Sequence, residues 1–187
     1  MWQYQKKLQY PINIKNKDLR MAKYLVSQYG GSNSELAAAL RYLNQRYTMP
    51  DERGKALLTD IGTEELAHIE MIATMIYQLT KDATKEELEK AGLGPHYVEH
   101  NKSLYPTDAN GVPFTVSYFA STNDPIADLY EDMAAEQKAR AVYENLIDLA
   151  NDPDVIGPLL WLRQREIVHF NRFKELCQIY EKEKKVS

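Results

Sequence analysis

The sequence predicts an all-α protein whose long helices form a bundle with one long crossover connection. Three observations predict it. Helical segments carry apolar residues at alternating steps of three and four, strong start and stop residues bound these segments, and prolines and a glycine interrupt any helical period over residues 95–123. The chain has 187 residues, the length of one domain, and no repeat or low-complexity linker divides it. We therefore expect residues 1–187 to form a single domain.

The first half of the bundle comes from three helical segments. The first, about residues 18–29, ends at Gly30-Gly31, where we expect glycine in the left-handed conformation that follows a helix. Ser32, Asn33 and Ser34 provide N-cap candidates for the second segment, SELAAALRYLNQRYT, which stops before Pro50. The third segment, about residues 51–81, is long enough to cross a domain.

The second half follows a long connection. A short surface helix within DATKEELEKAGLG ends at Gly92, and the irregular stretch comes next. Asp124-Pro125 and Asp152-Pro153 each join an N-cap residue to a proline, so two more long helices begin there, the last over about residues 154–182. Two long helices, a long connection and two more long helices are typical of a ferritin-like four-helix bundle with one long crossover connection.

Charge and composition exclude several classes of function. The net charge is −4 and Lys and Arg are scattered, whereas a nucleic-acid-binding protein needs a basic stripe. No uninterrupted apolar run approaches ~18 residues, so we expect no membrane span. The N-terminus, MWQYQKKLQYP, has no apolar stretch of signal-peptide length, which favours cytoplasmic synthesis. The only cysteine, Cys177, has no partner for an internal disulfide, and we interpret it as a packing residue.

Two long helices place Glu and His where a bundle core normally has Leu or Ala. Steps of three and four give Ile61, Glu65, His68, Ile72, Met75 and Leu79 in the third segment, and Leu159, Leu162, Glu166, His169, Phe173, Leu176 and Tyr180 in the last. A buried carboxylate without a partner costs several kcal/mol. These seams therefore predict a ligand or ion that compensates the burial.

The other two long helices each offer one Glu among small or apolar residues, Glu35 and Glu136. One Glu from each of two helices, with E-x-x-H from each of the other two, is typical of dinuclear carboxylate sites in bundles. Residues i and i+3 share a helix face, and two divalent ions would offset four carboxylates. Oxygen and imidazole ligands suit manganese but also iron, so the residues alone leave the metal open.

Some of the histidines and tyrosines, and each E-x-x-H taken alone, also have an interpretation without a metal. A single E-x-x-H is usually a surface coincidence, but two of them with two further Glu favour the metal site. His96 and His100 lie in the irregular stretch and fit no helical ligand spacing, so we expect surface histidines. Tyr42 lies two turns beyond Glu35, and it either donates its hydroxyl to a ligating carboxylate or is an ordinary core tyrosine.

The sequence resembles the manganese catalases, and especially the short spore-coat members of that family. The resemblance runs nearly end to end and includes QYGGSNSELAAALRYLNQRYTMPD, LLTDIGTEELAHIEMIATMIYQLTKDAT and DPIADLYEDMAAEQKARAVYENLIDLANDPD. It implies a catalase that converts hydrogen peroxide to water and oxygen at two manganese ions. The ligands that it implies are Glu35, Glu65, His68, Glu136 and His169. Glu166 matches the carboxylate that stays unbound and handles protons.

The resemblance also implies a homo-hexamer, a location on the spore coat and other coat proteins as partners. Some family members have arginine just before the Glu that matches Glu136, where this chain has Ala135, so we expect a wider access route. Longer members have a C-terminal extension that wraps neighbouring subunits, whereas this sequence stops at Ser187. Two alternatives keep the fold: a di-iron peroxidase or oxidase, and a mainly structural coat protein whose bundle a metal stabilises.

Overall fold

The structure is a computed structural model that describes residue 5 and residues 7–186. Within that part of the chain it has seven α-helices and no β-strand, so the predicted all-α class is confirmed. The helices are α1 (Leu19–Gly30), α2 (Glu35–Gln45), α3 (Glu52–Thr80), α4 (Lys85–Lys90), α5 (Gly94–His100), α6 (Pro125–Leu149) and α7 (Pro153–Val186). Short 3-10 turns lie at Arg46–Thr48 and Val116–Tyr118.

Capping residues begin the bundle helices where the sequence predicts them. The side chains of Ser34, Asp51 and Asp124 each accept a hydrogen bond from a backbone N–H two or three residues later. Before α7, the Asp152 carboxylate accepts one from the N–H of Asp154 at 2.9 Å. Each cap satisfies backbone donors that the first helical turn leaves without a partner, which fixes the helix starts.

Two apolar clusters lie above and below the middle of the bundle. One joins α1 and the C-terminal half of α3 to the end of α6 and the start of α7, while the other joins α2, the start of α3, the start of α6 and the C-terminal half of α7. The helices α1 and α2 thus pack in succession along α3. The segments 62–70 and 163–172 separate the clusters on α3 and α7 and carry both E-x-x-H motifs.

The glycines at the end of α1 act differently from the prediction. Gly31 is extended, with φ −80°, and the left-handed conformation occurs instead at Gly92, with φ 73°. At Gly30 an added Cβ would lie 2.4 Å from the backbone of Pro106. The predicted left-handed stop is therefore wrong, and Gly30 is needed because the crossover connection lies directly against α1.

The crossover connection contains more helix than the sequence predicts. The predicted short surface helix is α4, but α5 occupies Gly94–His100 with Pro95 in its first turn, where the period was expected to be broken. Proline is tolerated there because the first helical N–H groups have no partner within the helix. Within the described residues, no helix is long and apolar enough to span a membrane.

Candidate metal centre

Both E-x-x-H motifs point into the layer between the two apolar clusters. On α3 Glu65 and His68 are fully buried, and on α7 His169 is fully buried while Glu166 is 2% exposed. The i, i+3 spacing places each carboxylate and imidazole on one helix face. These four side chains therefore meet at mid-height in the bundle.

The single glutamates of α2 and α6 reach the same layer. Glu136 is 1% exposed and Glu35 is 2% exposed. Glu35 is the first residue of α2, directly after the break that separates α1 from α2. A helix N-terminus carries partial positive charge, so the break favours a carboxylate at this position.

The six predicted side chains form two overlapping groups of possible metal ligands. In each group, one ligand atom per residue lies within 4.8 Å of the others. The groups are Glu35, Glu65, His68 and Glu166, and Glu65, Glu136, Glu166 and His169. They share Glu65 and Glu166. Two neighbouring positions that have carboxylates in common are suited to a pair of cations.

Glu65 lies between the two imidazoles. Its carboxylate oxygens are 2.7 Å from Nδ1 of His68 and 2.8 Å from Nδ1 of His169. The two rings are nearly parallel, with centroids 5.7 Å apart. Burial by itself raises the pKa of Glu65, but the two histidines outweigh it and hold the pKa below its usual range.

Several buried polar atoms of this layer have no hydrogen-bond partner among the described residues. They are Oε1 of Glu65, Nε2 of His68, Oε2 of Glu136, Oε1 of Glu166 and Nδ1 of His169. An unsatisfied buried polar atom costs about 1–3 kcal/mol, and more if it is charged. Carboxylate oxygens and imidazole nitrogens are ligands for manganese and iron. The residues present therefore fit a pair of such ions.

Without cations, protons must offset the crowded carboxylates. Burial and the neighbouring Glu65 raise the pKa of Glu35 from 4.5 to about 8. Burial, Glu35 and Glu136 raise the pKa of Glu166 well above its usual range. Although burial opposes it, Glu65 raises the pKa of His68. Metal ligands must be deprotonated, so a metal ion bound by Glu35 and His68 would have to displace the protons of these two side chains.

Two tyrosines hold two of the glutamates in a reciprocal arrangement. The hydroxyl of Tyr42 on α2 donates to Glu136 on α6 at 2.5 Å. The hydroxyl of Tyr143 on α6 donates to Glu35 on α2. The sequence analysis singled out Tyr42 and missed Tyr143. The signal was its spacing, since Tyr143 follows Glu136 by seven residues, as Tyr42 follows Glu35.

A second contact that the sequence analysis missed lies behind the histidines. Glu64 has an oxygen 3.1 Å from Nε2 of His169 and another 3.7 Å from Nε2 of His68. Arg165 holds this carboxylate with two hydrogen bonds, of 2.7 and 3.1 Å. Glu64 and Arg165 each directly precede the Glu of an E-x-x-H. Their opposite charges at equivalent positions of the two motifs could have predicted that they form an ion pair.

A narrow cleft leads from the turn between α1 and α2 to the carboxylates. It is lined by Ser32, Asn33, Ser34, Glu35, Ala38, Arg41, Tyr42, Ala135, Glu136, Ala139 and Glu166. Its internal volume is about 10 Å³, close to the minimum for one water molecule. Ala135 and Arg41 both line it, and whether Ala135 widens the route relative to arginine stays a prediction.

The remaining candidates lie away from this layer. His96 and His100 are half-buried and lie one turn apart on α5. The prediction that they lie in an irregular segment is therefore wrong. His96 Nε2 is 3.0 Å from the carbonyl of Ser103, and His100 stacks on Tyr105 with ring centroids 3.9 Å apart. Neither belongs to the two ligand groups. Cys177 is buried in the apolar cluster around α2, which agrees with a packing role.

Comparison with known proteins places this chain in a family. The family model described as manganese containing catalase matches residues 1–187. Protein CotJC of Bacillus subtilis (strain 168) is 61% identical over 184 residues, which are 98% of this chain and 97% of that protein. The probable manganese catalase of Clostridium acetobutylicum is 34% identical over 164 residues, covering 88% of this chain and 73% of that protein.

A solved structure shows the same architecture. KatB, a manganese catalase from Anabaena PCC7120, superposes with a TM-score of 0.88 at 31% identity, covering 97% of this chain and 81% of that one. The predicted ferritin-like bundle is confirmed by this match. With a family model that spans the sequence and relatives that cover most of it, the chain belongs to the manganese-containing catalase family.

Proposed function

We propose that the chain is an active catalase that disproportionates hydrogen peroxide to water and oxygen at two manganese ions. The two overlapping ligand groups at mid-height in the bundle carry this proposal. One ion position is offered by the group on the α2 and α3 side and the other by the group on the α6 and α7 side. Membership of the family supports manganese rather than iron.

The ligands proposed are Glu35, Glu65, His68, Glu136 and His169. Glu65 is central because its two oxygens reach the histidines of both groups. Two divalent ions against three ligating carboxylates leave a single positive charge, which the uncharged imidazoles do not alter. The metal pair supplies two-electron oxidation of one peroxide molecule and two-electron reduction of another.

Glu166 is proposed to accept and return the peroxide proton. It is buried, lines the cleft that reaches the ligand groups, and has an oxygen 3.9 Å from Nδ1 of His68. The raised pKa of Glu166 means that this carboxyl holds a proton more readily than an exposed one. A buried carboxyl that can take up and release a proton beside the ligand groups is suited to general acid-base catalysis.

The surrounding side chains orient the ligands. A neutral imidazole has one N–H, and Glu64 accepts the one on Nε2 of His169, which leaves the Nδ1 lone pair directed toward Glu65. Tyr42 and Tyr143 each donate to one carboxylate oxygen, of Glu136 and Glu35 respectively. The second oxygen of Glu136 has no hydrogen-bond partner among the described residues, and that of Glu35 lies 3.4 Å from Nδ1 of His68, where both could hold a cation.

The test compares two variants of one motif. Glu166→Gln removes the basic carboxylate but keeps its size, so manganese content should remain that of the parent while oxygen release falls about 10²-fold or more. His169→Ala should lose metal. Metal analysis and an oxygen electrode on both variants decide the assignment. If Glu166→Gln loses metal as His169→Ala does, Glu166 is a ligand; if it keeps full activity, the proton route lies elsewhere.

Association with the spore coat is a separate part of the proposal. It is supported by the resemblance to short spore-coat members of the family and by the similarity to Protein CotJC. Synthesis in the cytoplasm followed by deposition on the spore predicts that the chain appears in the spore fraction of sporulating cells. Recovery solely from the external medium in a processed form would contradict this location.

A further inference from the structure

Arg41 is a buried cation on the wall of the cleft, and the proposed chemistry gives it no role. It is 4% exposed and is the only cationic side chain among the described residues that line the cleft. Within the described chain it forms no ion pair within 4 Å and no hydrogen bond to Glu35, Glu136 or Glu166. Burial raises the pKa of Asp132 on α6 overall, but this buried carboxylate is near enough for the charge of Arg41 to favour its ionised form. Because Arg41 has no ion pair within 4 Å and burying a charge is costly, other groups must also hold the guanidinium.

Two backbone carbonyls of the crossover connection hold the guanidinium. Nε of Arg41 donates to the carbonyl of Phe119 at 3.2 Å, and an Nη donates to the carbonyl of Tyr118 at 2.7 Å. The guanidinium is planar, so two neighbouring acceptors fix both its position and its orientation. Arg41 is therefore a fixed part of the wall rather than a mobile surface chain.

The crossover itself is fastened at the same place. Ala120 has a backbone φ of 45°, which residues other than glycine rarely adopt. Beyond it, Asp128 on α6 accepts hydrogen bonds from the backbone N–H and the hydroxyl of Thr122, at 2.8 and 2.6 Å. Strained backbone persists only where its surroundings enforce it. Arg41 from α2 and Asp128 from α6 hold this segment between them.

The rest of the wall near Arg41 is small. Ala38 comes from α2, and Ala135 and Ala139 come from α6. Three alanines fill little space, so the long side chain of Arg41 forms a larger part of the lining than they do. The internal volume that remains is about 10 Å³, which is close to the minimum for holding one water molecule.

We propose that Arg41, fixed by the crossover carbonyls, sets the size limit of the cleft, so that hydrogen peroxide enters and larger hydroperoxides are excluded. This inference rests on the proposed function for its substrate. Arg41 acts through the shape of the access route and contacts none of the proposed metal ligands by hydrogen bond or ion pair.

The test uses manganese-loaded protein and tert-butyl hydroperoxide. In an opened cleft, the alkyl hydroperoxide accepts two electrons and two protons to give tert-butanol and water, and hydrogen peroxide supplies both as it becomes oxygen. The sum is one alkyl hydroperoxide and one hydrogen peroxide to one alcohol, one water and one oxygen. Arg41→Ala should form tert-butanol about tenfold faster than the parent, or more. An unchanged rate overturns the proposal.

A second measurement does not depend on activity. Dipicolinate should strip manganese faster from Arg41→Ala than from the parent, because a bulky chelator needs the same route. The matched control is Arg140→Ala, which removes a half-buried arginine of α6 that pairs with Glu144 outside the cleft. Equal stripping rates in Arg41→Ala and the parent contradict the proposal, as does an equal acceleration in Arg140→Ala.

Two further variants separate bulk from charge and guard against misfolding. Arg41→Met keeps the length of the side chain without its charge, so it should still exclude most of the tert-butyl hydroperoxide and dipicolinate. If Arg41→Met admits them as readily as Arg41→Ala does, the bulk of the side chain does not set the limit. Ala38→Leu fills the cleft and should slow both peroxide turnover and stripping, and no change in either would show that the cleft is not the route. If the parent releases no oxygen, the proposed function fails, while stripping still decides the role of Arg41.

Discussion

Removal of the metal should make the stability of this protein fall as pH rises from about 4.5 to 8. Burial and Glu65 raise the pKa of Glu35 from 4.5 to about 8 in the folded chain. Between those values the unfolded chain has lost the Glu35 proton and the folded chain has kept it, so raising the pH favours unfolding. At 1.36 kcal/mol for each pKa unit, Glu35 alone accounts for roughly 3–4 kcal/mol between pH 5 and pH 8.

The assay is urea unfolding of metal-free protein at pH 5 and pH 8, with Glu35→Gln as the control. The glutamine does not titrate in this range and keeps an oxygen that accepts from Tyr143. Other groups titrate in both proteins, so the difference between the two pH dependences reports Glu35 together with its effect on the pKa of Glu166. Manganese-loaded protein should lack this loss, because the ions keep the carboxylate ionised. Identical pH dependences in the parent and Glu35→Gln would refute the reasoning.

Three substitutions test the rest of the centre. His68→Ala should abolish stoichiometric manganese loading, and full loading in metal analysis would remove His68 from the ligands. Glu64→Gln should weaken manganese binding about 10–100-fold, because the histidines lose their supporting carboxylate; unchanged affinity in a chelator competition would contradict this. Tyr143→Phe leaves a Glu35 oxygen without its donor, so the loaded protein should lose about 1–3 kcal/mol in urea unfolding. Unaltered stability would show that this hydrogen bond contributes nothing.

The helix starts, and the meeting of six polar side chains in one buried layer, are the features of the molecule that the sequence predicts well. Capping residues such as Asp51 and Asp124 act through local backbone hydrogen bonds, so a short stretch of sequence predicts the helix start. Glu65 and His68 stand out because charged or polar side chains interrupt an apolar seam. The capping residues and the polar residues in an apolar seam each lie within a single helix or at its start, so they can be recognised without knowing the tertiary structure.

The features that the sequence analysis missed depend on contacts between distant segments. Gly30 is required by the backbone of Pro106, which lies 76 positions later in the chain. Arg41 is held by carbonyls of the crossover, and no periodic pattern indicates which surface arginine will be covered. Tyr143 and Glu64 had signals in spacing and charge, but they become convincing only once α2 is known to face α6, and α3 to face α7.

The central claim is that this chain uses manganese to disproportionate hydrogen peroxide. The most direct measurement takes metal-free protein, reconstitutes separate samples with manganese and with iron, and follows metal content and oxygen release together. The manganese sample should hold two ions per chain and release one oxygen for every two peroxide molecules consumed. A fully loaded manganese sample that releases no oxygen would contradict the account, as would oxygen release from the iron sample alone.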